Sequence, residues 1–159
     1  MQFIDLKSQY KRMESEIQSG INNVLNHGKY IMGPEVIELE KKLSEFVGSK
    51  YCVSCASGTD ALLMPLMAFD IGPGDAVITT PFTFIATAEV IQLLGATPVF
   101  VDIEEKTFNI CPKKLEQKII EIESKNELNL KAIIPVDLFG LPSDLIRISE
   151  IAQKYKLNL

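Results

Sequence analysis

The amino-acid sequence predicts an α/β fold with a mostly parallel sheet and helices on both faces. From Tyr51 onward, short β-branched or apolar runs alternate with patterns of helical period, which is typical of parallel βαβ units. Turn residues separate the segments, as in DIGPGD before one run and GAT before another. Before Tyr51 only helical patterns occur. We therefore expect a helical segment over residues 1–50, followed by a sheet-containing domain over residues 51–159.

Length, composition and charge exclude several classes of protein. The chain has 159 residues, a formal net charge of -5 and 47% hydrophobic residues, which suits one globular domain with its own core. No basic stripe offsets the repulsion of phosphates, so we expect no binding to nucleic acid. No apolar run approaches the roughly 20 residues of a membrane span, and the N-terminus lacks a signal-peptide pattern. We expect a cytoplasmic protein without membrane attachment.

Two helices are predicted in the first segment. Apolar residues at steps of three and four predict a helix from about Leu6 to Leu25, and Gly28 is positioned to end it. Pro34 suits the first turn of a second helix, which Gly48 closes. This second helix has an apolar face that we expect to be buried, formed by Val36, Leu39, Leu43, Phe46 and Val47.

Strands and helices alternate in the second segment. The predicted strands are YCVSC (51–55), AVITT (76–80), PVFVDI (98–103) and KAIIPV (131–136). The predicted helices run from about Thr59 to Phe69, Thr83 to Leu94, Pro112 to Ser124 and Pro142 to Leu157. The last residues, 157–159, have the pattern of another strand, so we expect this chain to be the N-terminal part of a longer protein. A frayed tail is the alternative.

Cys52 and Cys55 have the C-x-x-C spacing of a redox dithiol or half a zinc site. Only Cys111 and His27 remain as further soft ligands, which is too few for a second pair. Both cysteines also fall within a predicted strand, where they would point to opposite faces, rather than at a helix N-terminus. We therefore expect small buried cysteines and no metal site. An odd number of cysteines also favours a reducing compartment.

The stretch Ser57-Gly58-Thr59-Asp60 lies between a predicted strand and a predicted helix. The amides of a first helical turn have no partner within the helix, and the helix dipole favours an anion there. Gly58 allows close approach of an anion to the backbone, and the hydroxyls of Ser57 and Thr59 add donors. A phosphate cradle is one interpretation. An ordinary N-cap without any ligand is the other.

A second candidate stretch is TTPFTFIATAEVI, which places Phe82 and Phe84 at the carboxyl end of a predicted strand. Ligands bind at that edge of an open α/β sheet, and an aromatic ring there can stack on a flat heteroaromatic group. The alternative is that both phenylalanines only cap the hydrophobic core.

With these stretches in place, the sequence resembles the DegT/DnrJ/EryC1/StrS family of nucleotide-sugar aminotransferases, which are fold-type I enzymes dependent on pyridoxal 5'-phosphate (PLP). The resemblance extends along all 159 residues. A finer likeness is to members that act on UDP-linked 3-oxo-uronic acid sugars in O-antigen and lipopolysaccharide biosynthesis. The segments that carry the resemblance are FIDLKSQY, YIMGPEVIELE, CASGTDAL, GPGDAVITTPFTFIATAEVI, LLGATPVFVDI and IIPVDLFG.

The resemblance implies a role for several residues in cofactor binding. Gly58 and Thr59 match the turn that holds the cofactor phosphate, with Ser57 beside them. Phe84 matches the aromatic residue that stacks on the pyridine ring.

For substrate binding, the resemblance implies Tyr30, in a loop that closes over substrate, and Glu89, in the active-site lining. Asp137 stands where the family often has histidine or serine, and its role stays open. The aspartate beside the pyridine nitrogen and the lysine that binds PLP covalently are expected after residue 159. Residues 51–159 would thus be the first part of the PLP-binding large domain, with no catalytic residue of its own.

The implied activity is transfer of an amino group, from L-glutamate with release of 2-oxoglutarate, to a nucleotide-linked keto-sugar. The resemblance also implies a homodimer with shared active sites, and that this chain by itself is inactive. Two alternatives remain open. One is a PLP-dependent sugar dehydratase relative, in which histidine replaces the lysine. The other is a truncated, non-catalytic oligomerisation module.

Overall fold

The computed structural model describes residues 3–159, which divide into two compact units, one ending at Ser54 and the other running from Cys55 to Leu159. The first unit contains helices only and the second contains the sheet. None of the helices in residues 3–159 is long and apolar enough to cross a membrane.

The first unit consists of helices α1 (Leu6–His27) and α2 (Pro34–Val47), close to the predicted bounds. Asp5 caps α1, because its Oδ1 accepts a hydrogen bond from the backbone N–H of Ser8 at 3.0 Å. Gly28 and Gly48 follow the two helices with φ values of 67° and 70°. This left-handed conformation is the usual helix stop and favours glycine, as the sequence predicted.

The prediction of a buried face on α2 is wrong for this structure. Phe46 is 88% exposed and Leu39 is 51% exposed, and neither α1 nor α2 contains a buried residue. The periodicity correctly gave the helix and its apolar side. Burial also requires a second layer against that side, and this unit has no sheet among its described residues.

The second unit contains the predicted parallel sheet with helices on both faces. Its elements, in chain order, are α3 (Gly58–Ala68), β1 (Asp75–Thr79), α4 (Ala86–Leu93), β2 (Thr97–Phe100), α5 (Pro112–Lys125), β3 (Asn129–Ile133), a 3-10 turn (Leu138–Gly140) and α6 (Leu145–Tyr155).

The strands form a sheet in the order β2-β1-β3, and both pairings are parallel. Residues 157–159 continue the sheet at the free side of β3. The Asn158 N–H donates to the Lys131 carbonyl at 2.9 Å, and the Ile133 N–H donates to the Asn158 carbonyl at 2.9 Å. This parallel bridge confirms that the last residues begin to pair as a strand.

The central strand β1 is buried on both faces of the sheet, because its residues alternate between two hydrophobic clusters. Val77 points into a cluster with Leu66 of α3 and Val90 of α4. Ile78 points into the opposite cluster with Leu115 of α5 and Ile148 of α6. Helices α3 and α4 therefore cover one face, and α5 and α6 cover the other.

The strand predicted over YCVSC is not present. Residues 51–55 form no ladder with any strand of residues 3–159. Instead, the backbone N–H of Ser54 donates to Oε1 of Glu40 at 2.8 Å. Tyr51 and Val53 are 73% and 72% exposed. The β-branched and aromatic composition of this segment favours a strand, but a strand forms only when a neighbouring strand pairs with it.

Two helices begin three residues later than predicted. Helix α4 begins at Ala86 rather than Thr83, because residues 81–85 form an irregular turn after β1. Helix α6 begins at Leu145 rather than Pro142. There Asp144 is the N-cap, and its side chain accepts a hydrogen bond from the Arg147 N–H. A capping side chain defines the first turn more precisely than the apolar periodicity does.

Candidate anion site at the carboxyl edge of the sheet

The order of the strands places a crevice at one edge of the sheet. The chain leaves β1 through α4 to reach β2 on one side, and then crosses through α5 to reach β3 on the other side of β1. The direction of the connections reverses between these two crossovers. In open α/β sheets, ligands bind beyond the carboxyl ends of the strands at such a switch point.

The first turns of α3 and α4 lie at this same edge. Helix α3 runs into the start of β1 through the short segment 69–74, so its other end lies where β1 finishes. A groove of about 200 Å³ runs along α3 from Ala61 to Phe69, beside the residues 132–135 of β3 and the segment that follows it. The two helices also pack against each other on one face of the sheet.

The turn at residues 57–60 has two unsatisfied amides. Ser57 is the N-cap of α3, since its Oγ accepts a hydrogen bond from the Asp60 N–H at 3.1 Å. The N–H groups of Gly58 and Thr59 have no hydrogen-bond partner among residues 3–159. A Cβ added at Gly58 would meet nothing within 4 Å. The turn is therefore open to an incoming group, and its free donors and the helix dipole both favour an anion.

The side chains of this turn are more engaged than the sequence predicted. The hydroxyl of Ser57 donates to Oδ2 of Asp60 at 2.9 Å, so it acts as a cap rather than as a free donor. Thr59 is half-buried beside it. The carboxylate of Asp60 adds a negative charge to the first turn, which the backbone donors must offset when an anion binds.

Phe84 lies in the turn that precedes α4, at the same edge and on the same face as the start of α3. Its side chain is 75% exposed, so it presents a flat apolar surface instead of capping the core. The turn is braced by a hydrogen bond of 2.9 Å between the hydroxyls of Thr83 and Thr87. The ring of Phe84 is thus accessible, and its role in stacking on a cofactor stays a prediction.

Phe82 behaves differently from Phe84. Its ring packs against Phe108 and Phe139 with centroid separations of 5.7 and 6.3 Å. Each of these three rings comes from the loop after a different strand of the sheet. The cluster therefore joins the three loops at the carboxyl edge.

The two residues predicted to bind substrate lie in different units. Glu89 is exposed on α4, within its first turn, where a carboxylate is also favourable to the helix alone. Tyr30 belongs to the first unit, in the loop between α1 and α2, and is 65% exposed. Both roles stay predictions.

Sequence reasoning missed a polar brace between the loops that follow β2 and β3. Asn109 is 4% exposed, and its Nδ2 donates to the Leu141 carbonyl at 2.9 Å while its Oδ1 accepts from the Leu138 N–H at 3.0 Å. Asp137 accepts a hydrogen bond from the Ser143 N–H at 2.8 Å, which gives it a structural contact in the same loop. An asparagine in a loop carries no sequence signal that distinguishes this role.

A second polar contact that sequence reasoning missed joins the ends of two strands. The Thr79 hydroxyl donates to the Ile134 carbonyl at 2.9 Å, which ties the end of β1 to the end of β3. Thr79 is fully buried. A threonine at the end of an apolar strand was the only available signal.

The expected burial of the cysteine pair is wrong for Cys55, which is exposed, whereas Cys52 is half-buried. The reason is that residues 51–55 do not enter the sheet. The Cys55 thiol donates to the Ser57 carbonyl at 3.3 Å. Among residues 3–159, no three His, Cys, Asp or Glu side chains form a group that could hold a metal ion.

Comparison with known proteins identifies the family. The profile of the DegT/DnrJ/EryC1/StrS aminotransferase family matches residues 11–159, so this chain belongs to that family. The resemblance of the sequence segments is thereby confirmed.

Curated relatives are similar to this chain over nearly all of its length. It is 53% identical over 155 residues to a UDP-2-acetamido-2-deoxy-3-oxo-D-glucuronate aminotransferase of Pseudomonas aeruginosa, covering 98% of this chain and 41% of the relative. The chain therefore spans about two fifths of the length of the curated relatives it matches.

Solved structures agree in fold. A DegT/DnrJ/EryC1/StrS aminotransferase from Brucella abortus superposes with a TM-score of 0.97 at 50% identity, over 99% of this chain and 42% of its own. NtdA of Bacillus subtilis, solved with bound cofactor PMP, superposes with a TM-score of 0.81 at 34% identity, over 92% of this chain and 32% of its own. The fold prediction of a fold-type I PLP-dependent large domain is confirmed.

Proposed function

We propose that this chain supplies the phosphate cradle and ring-stacking surface for PLP in an aminotransferase that acts on nucleotide-linked keto-sugars. Family membership and the 53% identical UDP-sugar aminotransferase support the class of reaction. The single observation that carries the assignment to this chain is the open turn at Gly58 and Thr59, whose two free amides lie at the same edge of the sheet as the exposed ring of Phe84.

The residues present fit the two ends of PLP. Its phosphate is an anion, for which the free amides and the N-terminus of α3 provide donors and a favourable dipole. Its pyridine ring is flat, and the 75% exposed ring of Phe84 can cover one face of it. When bound, PLP supplies an electron-accepting ring through which an amino group is exchanged.

In this proposal, the residues of this chain bind PLP and orient it. The amides of Gly58 and Thr59 donate to the phosphate, and Ser57 fixes the turn through Asp60. Phe84 excludes water from one face of the ring. Holding a reacting group in one orientation lowers the entropic part of the barrier.

The proposal extends to the substrate, the amino donor and the oligomeric state. Tyr30 and Glu89 contact the sugar substrate, L-glutamate is the amino donor, and a homodimer completes the sites. The pathway is the biosynthesis of surface polysaccharide, O-antigen or amino sugars, in the cytoplasm. None of the residues assigned a role in this proposal takes part in a covalent step.

The test places a negative charge in the proposed phosphate site. Gly58→Asp projects a carboxylate into the open space before the two amides, so we expect the Kd for PLP to rise at least about tenfold through charge repulsion. Gly20→Asp is the matched control, because a Cβ at Gly20 also meets nothing within 4 Å and that residue lies in α1. Binding is measured by spectroscopic titration of the protein with PLP.

Circular dichroism of both variants reports whether they fold. Equal PLP affinity in the folded Gly58→Asp and Gly20→Asp variants would refute the cradle. Competition by inorganic phosphate against PLP, lost in Gly58→Asp alone, would support it.

A further inference from the structure

A histidine at the end of α1 ties together three parts of the first unit. His27 is the only histidine of the chain. Its Nδ1 lies 3.0 Å from the backbone nitrogen of Lys29, which donates a hydrogen bond to it. Its Nε2 lies 3.0 and 3.2 Å from the two carboxylate oxygens of Glu35, on the first turn of α2. The ring therefore bridges the end of α1, the interhelical loop and the start of α2.

These partners define the chemical state of the ring. A backbone N–H can only donate, so Nδ1 must carry a lone pair. A carboxylate can only accept, so Nε2 must carry the proton. Both contacts are satisfied together only by the neutral imidazole with its proton on Nε2.

The loop held by His27 is tightly wound. A Cβ placed on Gly33 would collide with the carbonyl oxygen of Lys29, so the two ends of the loop touch. Met32, between them, has a left-handed φ of 48°, a conformation that costs free energy in a residue with a side chain. The His27 contact fixes the N–H of Lys29, and Gly33 confines its carbonyl. Tyr30 follows immediately, and the loop lines a groove of about 550 Å³.

We propose that His27 is a positioning residue, whose neutral imidazole clasps Lys29 to Glu35 and so fixes the backbone of the loop that presents Tyr30. Its effect on sugar binding rests on the proposed function, whereas the clasp itself does not. Consistent with the clasp, the hydrogen bond from His27 holds the pKa of the Glu35 carboxyl below its ordinary value.

Two variants separate the two halves of the clasp. In His27→Asn, the amide oxygen stands close to the position of Nδ1 and can still accept from Lys29. In His27→Gln, the amide nitrogen stands close to the position of Nε2 and can still donate to Glu35, but the Lys29 acceptor is lost. Glu35→Gln is the control, because it keeps an acceptor oxygen for Nε2–H and removes the charge.

The first measurement is independent of activity. The ¹⁵N shifts of the imidazole distinguish a bare from a protonated ring nitrogen, and the resonance missing in His27→Asn identifies His27. We expect a bare Nδ1 and a protonated Nε2 at neutral pH. We expect amide exchange at Lys29 and Tyr30 to accelerate about tenfold or more in His27→Gln, and to change less than about threefold in His27→Asn and Glu35→Gln. A proton on Nδ1, or faster exchange in Glu35→Gln than in His27→Gln, would overturn the clasp.

The second measurement tests the link to Tyr30 in the whole protein. We expect KM for a UDP-linked keto-sugar to rise several-fold in His27→Gln, with kcat and the Kd for PLP within about twofold of wild type. An unchanged KM despite accelerated exchange would overturn the positioning role. If the wild-type protein aminates no such sugar, the proposed function fails, and the spectroscopic and exchange results still decide the clasp.

Discussion

The two units of this protein differ in what their apolar residues contact. In the second unit, the central strand β1 is buried from Ala76 to Thr79, and helices cover both faces of the sheet. In the first unit, α1 and α2 are equally amphipathic in sequence, yet neither has a buried residue. A helical period thus predicts where an apolar side lies. It does not predict what covers that side.

The largest expected loss of stability comes from truncating a core residue, and we compare it with truncation of an apolar residue of α2. Ile78→Ala removes a fully buried side chain and leaves a cavity, so we expect unfolding to become easier by about 2–5 kcal/mol. Leu39→Ala removes a side chain that is 51% exposed, and we expect a loss under about 1 kcal/mol. Urea denaturation followed by circular dichroism measures both. Equal losses would show that the apolar side of α2 is covered in solution, and would end the contrast between the units.

A smaller loss of stability is expected when Asn109, the polar brace between two loops, is replaced. Asn109→Ala leaves the Leu138 N–H and the Leu141 carbonyl without their partners, so we expect a loss of about 1–3 kcal/mol. Asn22→Ala is the control in the first unit, because Asn22 is exposed on α1 and alanine has the higher helix propensity. We expect it to be neutral or slightly stabilising in the same denaturation experiment. A neutral Asn109→Ala would contradict the brace.

The smallest effect concerns an exposed ion pair. Hydrogen bonds from Lys118 and Lys125 lower the pKa of Glu121 from its ordinary 4.5 to about 2. Because the folded pKa lies below the unfolded one, the stabilisation is fully present above pH 4.5 and is lost as the pH falls towards about 2.

Titration of the Glu121 carboxyl carbon by NMR checks this pKa directly. We expect Glu121→Gln to lose almost no stability at neutral pH, since the pair is exposed. Titration of Glu121 near 4.5 would contradict the two-lysine contact.

The sequence predicted the α/β class because β1, β2, β3 and the crossover helices each satisfy their local pattern within one unit. It failed at YCVSC, since strand formation depends on a partner that composition does not report. The late start of α6 depends on the capping contact of Asp144, and that of α4 on the irregular turn at residues 81–85. Local periodicity is a property of one segment, whereas pairing and capping are properties of two.

The candidate site was predictable in part. The position of Phe84 followed from the junction between β1 and α4, at the carboxyl edge of the sheet. The turn at Gly58 was correctly placed at the start of a helix, although the strand predicted before it is not present. The role of Asn109 did not, because its two hydrogen bonds reach a loop some thirty positions further along the chain. Ser57 was expected as a donor to an anion, yet its hydroxyl is engaged with Asp60.

The all-parallel pairing of β1 has a kinetic consequence. Asp75 pairs with Asn129, which lies beyond two helices and another strand in the chain. No neighbour of β1 can be reached through a tight turn, so each pairing must wait for the closure of a long loop. We therefore expect the central strand, the most buried of the three, to stay unpaired until late in folding. Since β1, β2 and β3 pair only in parallel, we expect closure of the two crossovers to limit the rate of folding.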